Sequence, residues 1–279
     1  MARVPVLRRI YLVAVDVVSR TLRDGYIHAG NIAYLALVTL LPLVVLITAV
    51  TVAIGNTEAG RYAITGILKA LPANVAQLFE PVIEEVLEAR TGNLLWVGAL
   101  VALWTVTTFI ETLRDIIHRA FEVPLSRNFL QYRLLSIAGT MAAMLLVLVA
   151  FVSQFLLLVA VKSIRLLFPL APEIPGWLDL SRLLTPPFIF LSLWAVFKLL
   201  TPRSVPHAAS WPGALVTTLA WIGGILLLGP ALGGMGQMSL TYGALSGVMV
   251  ALLFFYAVGF ALVLGAELNA ALARHRPPR

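Results

Sequence analysis

Six stretches of this chain are apolar over about twenty residues each, and that pattern leaves few ways to fold. A bilayer core about 30 Å thick is crossed by about 20 helical residues. The runs Asn31 to Ile54, Leu94 to Ile117, Leu135 to Val161, Leu183 to Leu200, Trp211 to Leu232 and Tyr242 to Ala273 all reach that scale. In hydrocarbon every backbone amide must find its partner inside the protein, so each run reads as a helix. The expected fold class is therefore all-α, a polytopic six-helix transmembrane bundle. Its domains are an amphipathic N-terminal segment over 1–30, a membrane domain over 31–273 and a basic tail over 274–279. Only 12% of the residues are charged, which excludes an ordinary soluble domain.

The basic residues set the expected orientation. Arg61, Lys69, Arg90, Lys162, Arg165 and Arg182 fall between alternate spans on one side. All the other lysines and arginines fall on the side of the two termini, so both termini are expected in the cytoplasm. A net charge of +7 then reads as topology and attraction to anionic headgroups rather than to nucleic acid. The first apolar stretch, Ile10 to Val18, is short, carries Asp16 and leads into Arg20 and Arg23. It lacks a cleavage site and fits an interfacial helix better than a signal peptide.

The loop over 55–93 is the longest on the outer side. In it PVIEEVLEARTGN places Pro81 in the first turn of a short helix and Gly92 past its end. Val82, Ile83, Val86 and Leu87 then form an apolar stripe opposite Glu84, Glu85 and Glu88. An upstream companion, RYAITGILKALPANV, breaks at Pro72.

Charges within spans are costly, about 2.5 to 3.5 kcal/mol at the bilayer centre, so their placement is informative. Glu267 lies seven residues before Arg274, or roughly 10 Å along a helix, which puts it near the edge of the last span. Asn31 and Tyr34 follow His28 at the start of span one. Glu111, Arg114, Asp115, His118 and Arg119 end span two, Arg133 opens span three, and Asn269 accompanies Glu267. These residues are expected to form one polar layer, a candidate binding surface for a headgroup or ion, with Arg114 or Arg133 neutralising Glu267. A structural ion-pair network that fixes helix register is the competing reading of the same layer.

Backbone features complete the inventory. Pro42, mid-span, removes one helix hydrogen bond and is expected to kink its helix. The uncharged stretch LGPALGGMGQMSLTYGALSG between spans five and six reads as a flexible or re-entrant loop. Gly243, Gly247 and Ala251 recur at intervals of four, with Gly259 two turns later, a spacing that lets helices approach closely. Packing within the protomer is the first reading of that stripe and homodimerisation the second. The four histidines form no metal-ligand pair at i+2 or i+4, and the chain has no cysteine, so neither metal nor cofactor is expected.

The segments AGNIAYLALVTLLPLVVL, WPGALVTTLAW and LTYGALSGVMVALLFFYAVGFALVLGAELNAAL, in that order from about Asp24 to Ala273, resemble the YihY / virulence factor BrkB family. The resemblance rests on an Ala-Tyr pair before Thr-Leu-x-Pro, a Pro-Gly-Ala entry to span five, a Tyr-Gly-x-Leu start and a Gly-Ala-Glu-Leu-Asn finish. The chain departs from the family pattern at Asp115, where relatives carry Leu-Asn, and at Phe254 and Phe255, where a Trp is common. The resemblance implies a six-span protein of the bacterial inner membrane, a family once labelled ribonuclease BN. The chain shows no acidic metal cluster, no soluble catalytic part and no aromatic-interleaved basic surface. The expectation is a protein that is not an enzyme and that translocates a lipid or other amphipathic envelope molecule, with membrane lipids as its partners. The alternatives are a scaffold holding an envelope protein through the 55–93 loop, and an ion-coupled carrier of small solutes.

Overall fold

A computed structural model describes residues 6–53, 57–69, 71–88, 93–124, 130–131, 133–134, 136–141, 180–202, 204–205, 208–233 and 245–275. The described residues are helical apart from short connections. The labelled helices are α1 (Val6–Arg20), α2 (Tyr26–Ala53), α3 (Thr57–Lys69), α4 (Ala73–Glu88), α5 (Asn93–Ala120), α6 (Leu180–Leu200), α7 (Trp211–Gly233) and α8 (Leu245–Arg274). The stretches containing α2, α5 and α8 are long and apolar enough to cross a membrane, and α6 and α7 contribute shorter apolar segments. The chain is thus an all-α, multi-pass membrane protein. Most of the run from Leu135 to Val161, together with residues 234–244, which include Gly243, lies outside the described residues, and the two flanks of the expected glycine-rich loop are helical, up to Gly233 in α7 and from Leu245 in α8.

Several expected boundaries move. No break separates the N-terminal segment from the first span: a single π-helical turn, Thr21–Gly25, joins α1 to α2. The apolar helix therefore begins at Tyr26 rather than Asn31. The stretch from Leu7 to Val50 is 44 residues long, about 66 Å at 1.5 Å per residue. Only part of it can sit in the hydrocarbon. The 55–93 loop does fold into a helical pair that breaks around Pro72, as the turn residues imply. Pro81, however, lies inside α4 rather than in its first turn. The helix starts eight residues earlier, where the Pro72 carbonyl accepts from the Val75 and Ala76 amides. Pro81 and Gln77, the residue one turn before it, are both exposed. The Gln77 carbonyl, which Pro81 cannot satisfy, is therefore free to meet solvent. Val75, Phe79 and Ile83, at i, i+4 and i+8, supply the buried stripe of α4.

The chain divides into two compact units, and α2, α5 and α6 each pass from one to the other. Unit 1 comprises residues 1–37, 109–127 and 186–279; unit 2 comprises 38–108 and 128–185. In α2 the crossing falls after Leu37, next to Val38, whose carbonyl loses its helical partner because Pro42 has no N–H.

Unit 1 has its main core where the ends of α2, α5, α6, α7 and α8 meet, around Ile32, Ile117, Phe197, Ala214, Val263, Ala266 and Ala270. α1 adds a satellite in which Val13 and Val17 pack on Ala271, Leu264, Leu268 and Leu272. The other face of α1 is apolar and exposed: Leu7 is 82% accessible, and Ile10, Tyr11 and Val18 are also exposed. That is the reverse of a soluble amphipathic helix and fits one lying against lipid.

Unit 2 contains Arg133, 6% exposed, with its guanidinium 3.7 Å from the Trp104 ring centre. One Arg133 nitrogen also donates to the Trp104 carbonyl at 3.1 Å, and both terminal nitrogens approach Thr108 Oγ1 at 3.3 Å. A cation stacked on indole and bonded to a helix carbonyl is a stable way to bury charge. Arg133 is thereby engaged with span two and is not the neutraliser of Glu267.

Candidate functional site

The segment GAELN in α8 builds two different surfaces. Residues four apart share a helix face, whereas residues two apart point about 200° from each other. Gly265 and Asn269 therefore face one way and Glu267 the other.

On the first face α8 meets the start of α7 almost backbone to backbone. A β-carbon on Gly265 would sit 2.7 Å from the Gly213 carbonyl oxygen, and one on Gly213 would meet the backbone of Gly265 and the Asn269 amide. Only glycine fits at either position. Asn269 is buried; its Oδ1 accepts from the Gly213 amide at 2.9 Å and its Nδ2 donates to the Ser210 carbonyl at 3.3 Å. The Gly213 amide is one of the first-turn donors that a helix cannot satisfy internally, so the Asn269 side chain caps α7 from a neighbouring helix. One turn on, Thr217 Oγ1 donates to the Gly213 carbonyl at 2.9 Å and approaches the Ala261 carbonyl at 3.3 Å. Between helices in lipid the hydrophobic effect contributes little, and close packing of small residues with such hydrogen bonds holds the pair. Asn269 accordingly belongs to a clamp rather than to a polar layer with Glu267. Further along α8, Gly259 does the same job against α2, where a β-carbon would lie 3.0 Å from the Ala29 carbonyl oxygen. Ala251 is fully buried and Gly247 partly so.

On the second face Glu267 looks toward α1 and the end of α5. Its ion-pair partner is Arg274, with Nη2 3.6 Å from Oε2, rather than Arg114 or Arg133. At that distance the pair is too long for a good hydrogen bond, and Oε2, though buried, accepts none among the described residues. Arg274 is held in place by other bonds. It reaches Asp16 of α1 through Nε and Nη2, both at 3.1 Å, and it donates through Nη1 to the Ala120 carbonyl at 2.8 Å. One guanidinium thus ties α1, the C-terminal end of α5 and α8 together. Asp16 is shared: its other oxygen accepts from Arg20 Nε at 2.7 Å, and Arg20 also pairs through Nη1 with Glu122.

Glu122 ends α5 in an unusual way. Its φ is 57°, the left-handed region in which glycine normally terminates a helix. The Val123 amide donates to the His118 carbonyl and the Glu122 amide to the Arg119 carbonyl, the paired bonds of a Schellman turn.

These elements enclose a cleft of about 440 Å³ within unit 1. The π-turn region contributes Arg20, Arg23, Asp24, Gly25 and His28, the end of α5 contributes Arg119 and Glu122, and α8 contributes Val263 and Glu267. Of the residues expected in the polar layer, His28, Arg119 and Glu267 line this cleft. Glu111, Arg114 and Asp115 are partly buried along α5 and do not line it. Asn31 and Tyr34 are exposed, Tyr34 at 59%. The reason is angular: three and six residues beyond His28 rotate about 60° and 120° away from it, and only His28 turns into the cleft. Four members of the ionic network fall outside the polar layer expected from the sequence: Asp16, Arg20, Glu122 and Arg274. The signal for Asp16 was its position inside an apolar run, and a helix stop filled by glutamate instead of glycine marked Glu122. Among the described residues no group of three His, Asp or Glu side chains is placed to hold a metal ion.

No solved structure matches the chain. It is 27% identical over 265 residues to a Bacillus subtilis (strain 168) protein named "Putative ribonuclease-like protein YfkH", an alignment covering 92% of this chain and 93% of that one. The model of the family described as Virulence factor BrkB matches residues 18–279, from the end of α1 through both faces of the GAELN segment, and the chain belongs to that family.

Proposed function

We propose that this protein carries an amphipathic anion, a lipid or a lipid-linked phosphate, across a bacterial inner membrane, with α1 and both termini on the cytoplasmic side. The supporting observation is the cleft in unit 1. Apolar helices reach it, yet its wall presents Arg20, Arg23 and Arg119 among carboxylates. Arginine suits phosphate because its planar fork can donate two parallel hydrogen bonds. The role is not enzymatic in this reading, and the ribonuclease wording in the relative's name is not carried over, since among the described residues no group of three His, Asp or Glu side chains is placed to hold a metal ion.

The test is lipid movement between leaflets. Protein reconstituted into vesicles of phosphatidylethanolamine and phosphatidylglycerol should speed the exchange of a headgroup-labelled phosphatidylglycerol above protein-free vesicles. Arg119→Ala should slow it at unchanged expression. Exchange no faster than in empty vesicles, for anionic and zwitterionic probes alike, would remove this reading.

A second reading draws on the helical pair α3–α4, whose exposed residues include Glu58, Glu80 and Glu84. In it the 55–93 loop holds an envelope partner. Loss of cellular function when that loop is replaced, with leaflet exchange intact in vesicles, would favour scaffolding over transport.

A further inference from the structure

Resting on the anion reading of the cleft, we infer that Glu122 is an internal placeholder, a carboxylate that occupies Arg20 until a phosphate-type headgroup displaces it. Three observations meet at this residue. First, Glu122 lines the cleft while its side chain is 59% exposed, so it is free to swing out. Second, its carboxylate lies on Arg20 Nη1, a position an incoming anion would take, with Arg23 and Arg119 in the wall of the same cleft. Third, its backbone adopts φ 57°, a left-handed conformation that is strained for a residue bearing a side chain. Helix stops of this kind are normally filled by glycine. A glutamate there gives up local stability, and what its side chain gains in exchange is the Arg20 contact.

The ion pair is poised to be exchanged. Exposed pairs are weak, and a phosphate anion held by two guanidinium forks can exceed one. Asp16 keeps Arg20 oriented from behind at 2.7 Å, so Arg20 does not collapse when Glu122 leaves. Substrate binding therefore frees the end of α5 at Glu122 while Arg274 still holds the Ala120 carbonyl. The anion need not displace the bond that ties the helices together.

Glu122→Gly separates placeholder from structural cap, because glycine adopts φ 57° without strain and removes the competing carboxylate together. Full-length protein in nanodiscs, read by intrinsic tryptophan fluorescence, is titrated with short-chain phosphatidylglycerol, short-chain phosphatidylcholine and inorganic phosphate. The placeholder account expects Glu122→Gly to bind phosphatidylglycerol about 2- to 5-fold more tightly than wild type, the equivalent of a lost surface pair. Phosphatidylcholine, whose headgroup carries its own cation, should gain less. A gain for inorganic phosphate as well assigns the site to the phosphate group alone, and a gain confined to phosphatidylglycerol assigns it to the lipid. Glu122→Gln should show the same trend with the backbone strain retained. The gain should vanish in Glu122→Gly combined with Arg20→Gln. Unchanged anion affinity in both Glu122 variants, or a gain that survives loss of Arg20, overturns the placeholder. Wild-type protein that exchanges no lipid between leaflets but whose Glu122→Gly variant binds phosphate more tightly would sink the transport reading and leave this one standing.

Discussion

The two faces of the GAELN segment differ in how completely their polar groups are satisfied. Where α8 meets α7, there is no room for a methyl group, and both ends of the Asn269 amide are hydrogen-bonded. Where α8 faces α1 and the end of α5, there is a cleft, and Glu267 sits 3.6 Å from its arginine with one buried oxygen accepting no hydrogen bond from the described residues. Residues two apart on one helix thus serve opposite ends. A fully saturated contact is rigid, whereas charges left incompletely matched beside open space have binding capacity to spare.

The largest effect should come from closing the tight face. Gly213→Val and Gly265→Val each push side-chain atoms into the opposing backbone and should destabilise by about 3 kcal/mol or more, read as a lowered unfolding midpoint in detergent micelles. If either variant melts like wild type, the helices do not touch as described. Asn269→Ala comes next: it strands the Gly213 amide and should cost about 1–3 kcal/mol, while anion binding by the folded fraction stays unchanged. If Asn269→Ala instead abolished binding without loss of stability, the division of labour between the faces would be wrong.

On the open face the penalties should be smaller. Arg274→Ala loses the Asp16 and Ala120 bonds, and a double-mutant cycle with Asp16→Ala should give a coupling of about 1 kcal/mol. A coupling of zero would mean the α1–α8 ion pair does not form in the membrane. Smallest of all is Glu122→Gly, where relief of backbone strain is offset by loss of an exposed ion pair together with the greater freedom of glycine in the unfolded chain. Its unfolding midpoint should stay close to that of wild type.

How much of this was legible in the sequence depends on direction. Along the helix axis the reading worked: apolar run lengths located the described spans, and counting from Arg274 put Glu267 near a helix end. Around the axis it failed. Asn269 and Glu267, like Tyr34 and His28, lie at a similar depth, yet rotation of 100° per residue separates them. The ionic network escaped for another reason. Asp16 and Arg274 are 258 residues apart, and no local pattern ties them; only the packing of α1 on α8 brings them together. Gly213 and Gly265 belong to two motifs, Pro-Gly-Ala and Gly-Ala-Glu-Leu-Asn, whose mutual contact no spacing rule supplies.

The central claim is that Glu267 lines an open cleft while its helix neighbours are sealed. Since the chain has no native cysteine, single-cysteine variants report on it without background. Glu267→Cys, Ala266→Cys and Ala270→Cys in reconstituted protein, exposed to a small charged methanethiosulfonate reagent, give the direct measurement. Rapid labelling at 267 is predicted, with protection at 266 and 270, both fully buried. Equal labelling at all three positions, or protection at 267, would contradict it.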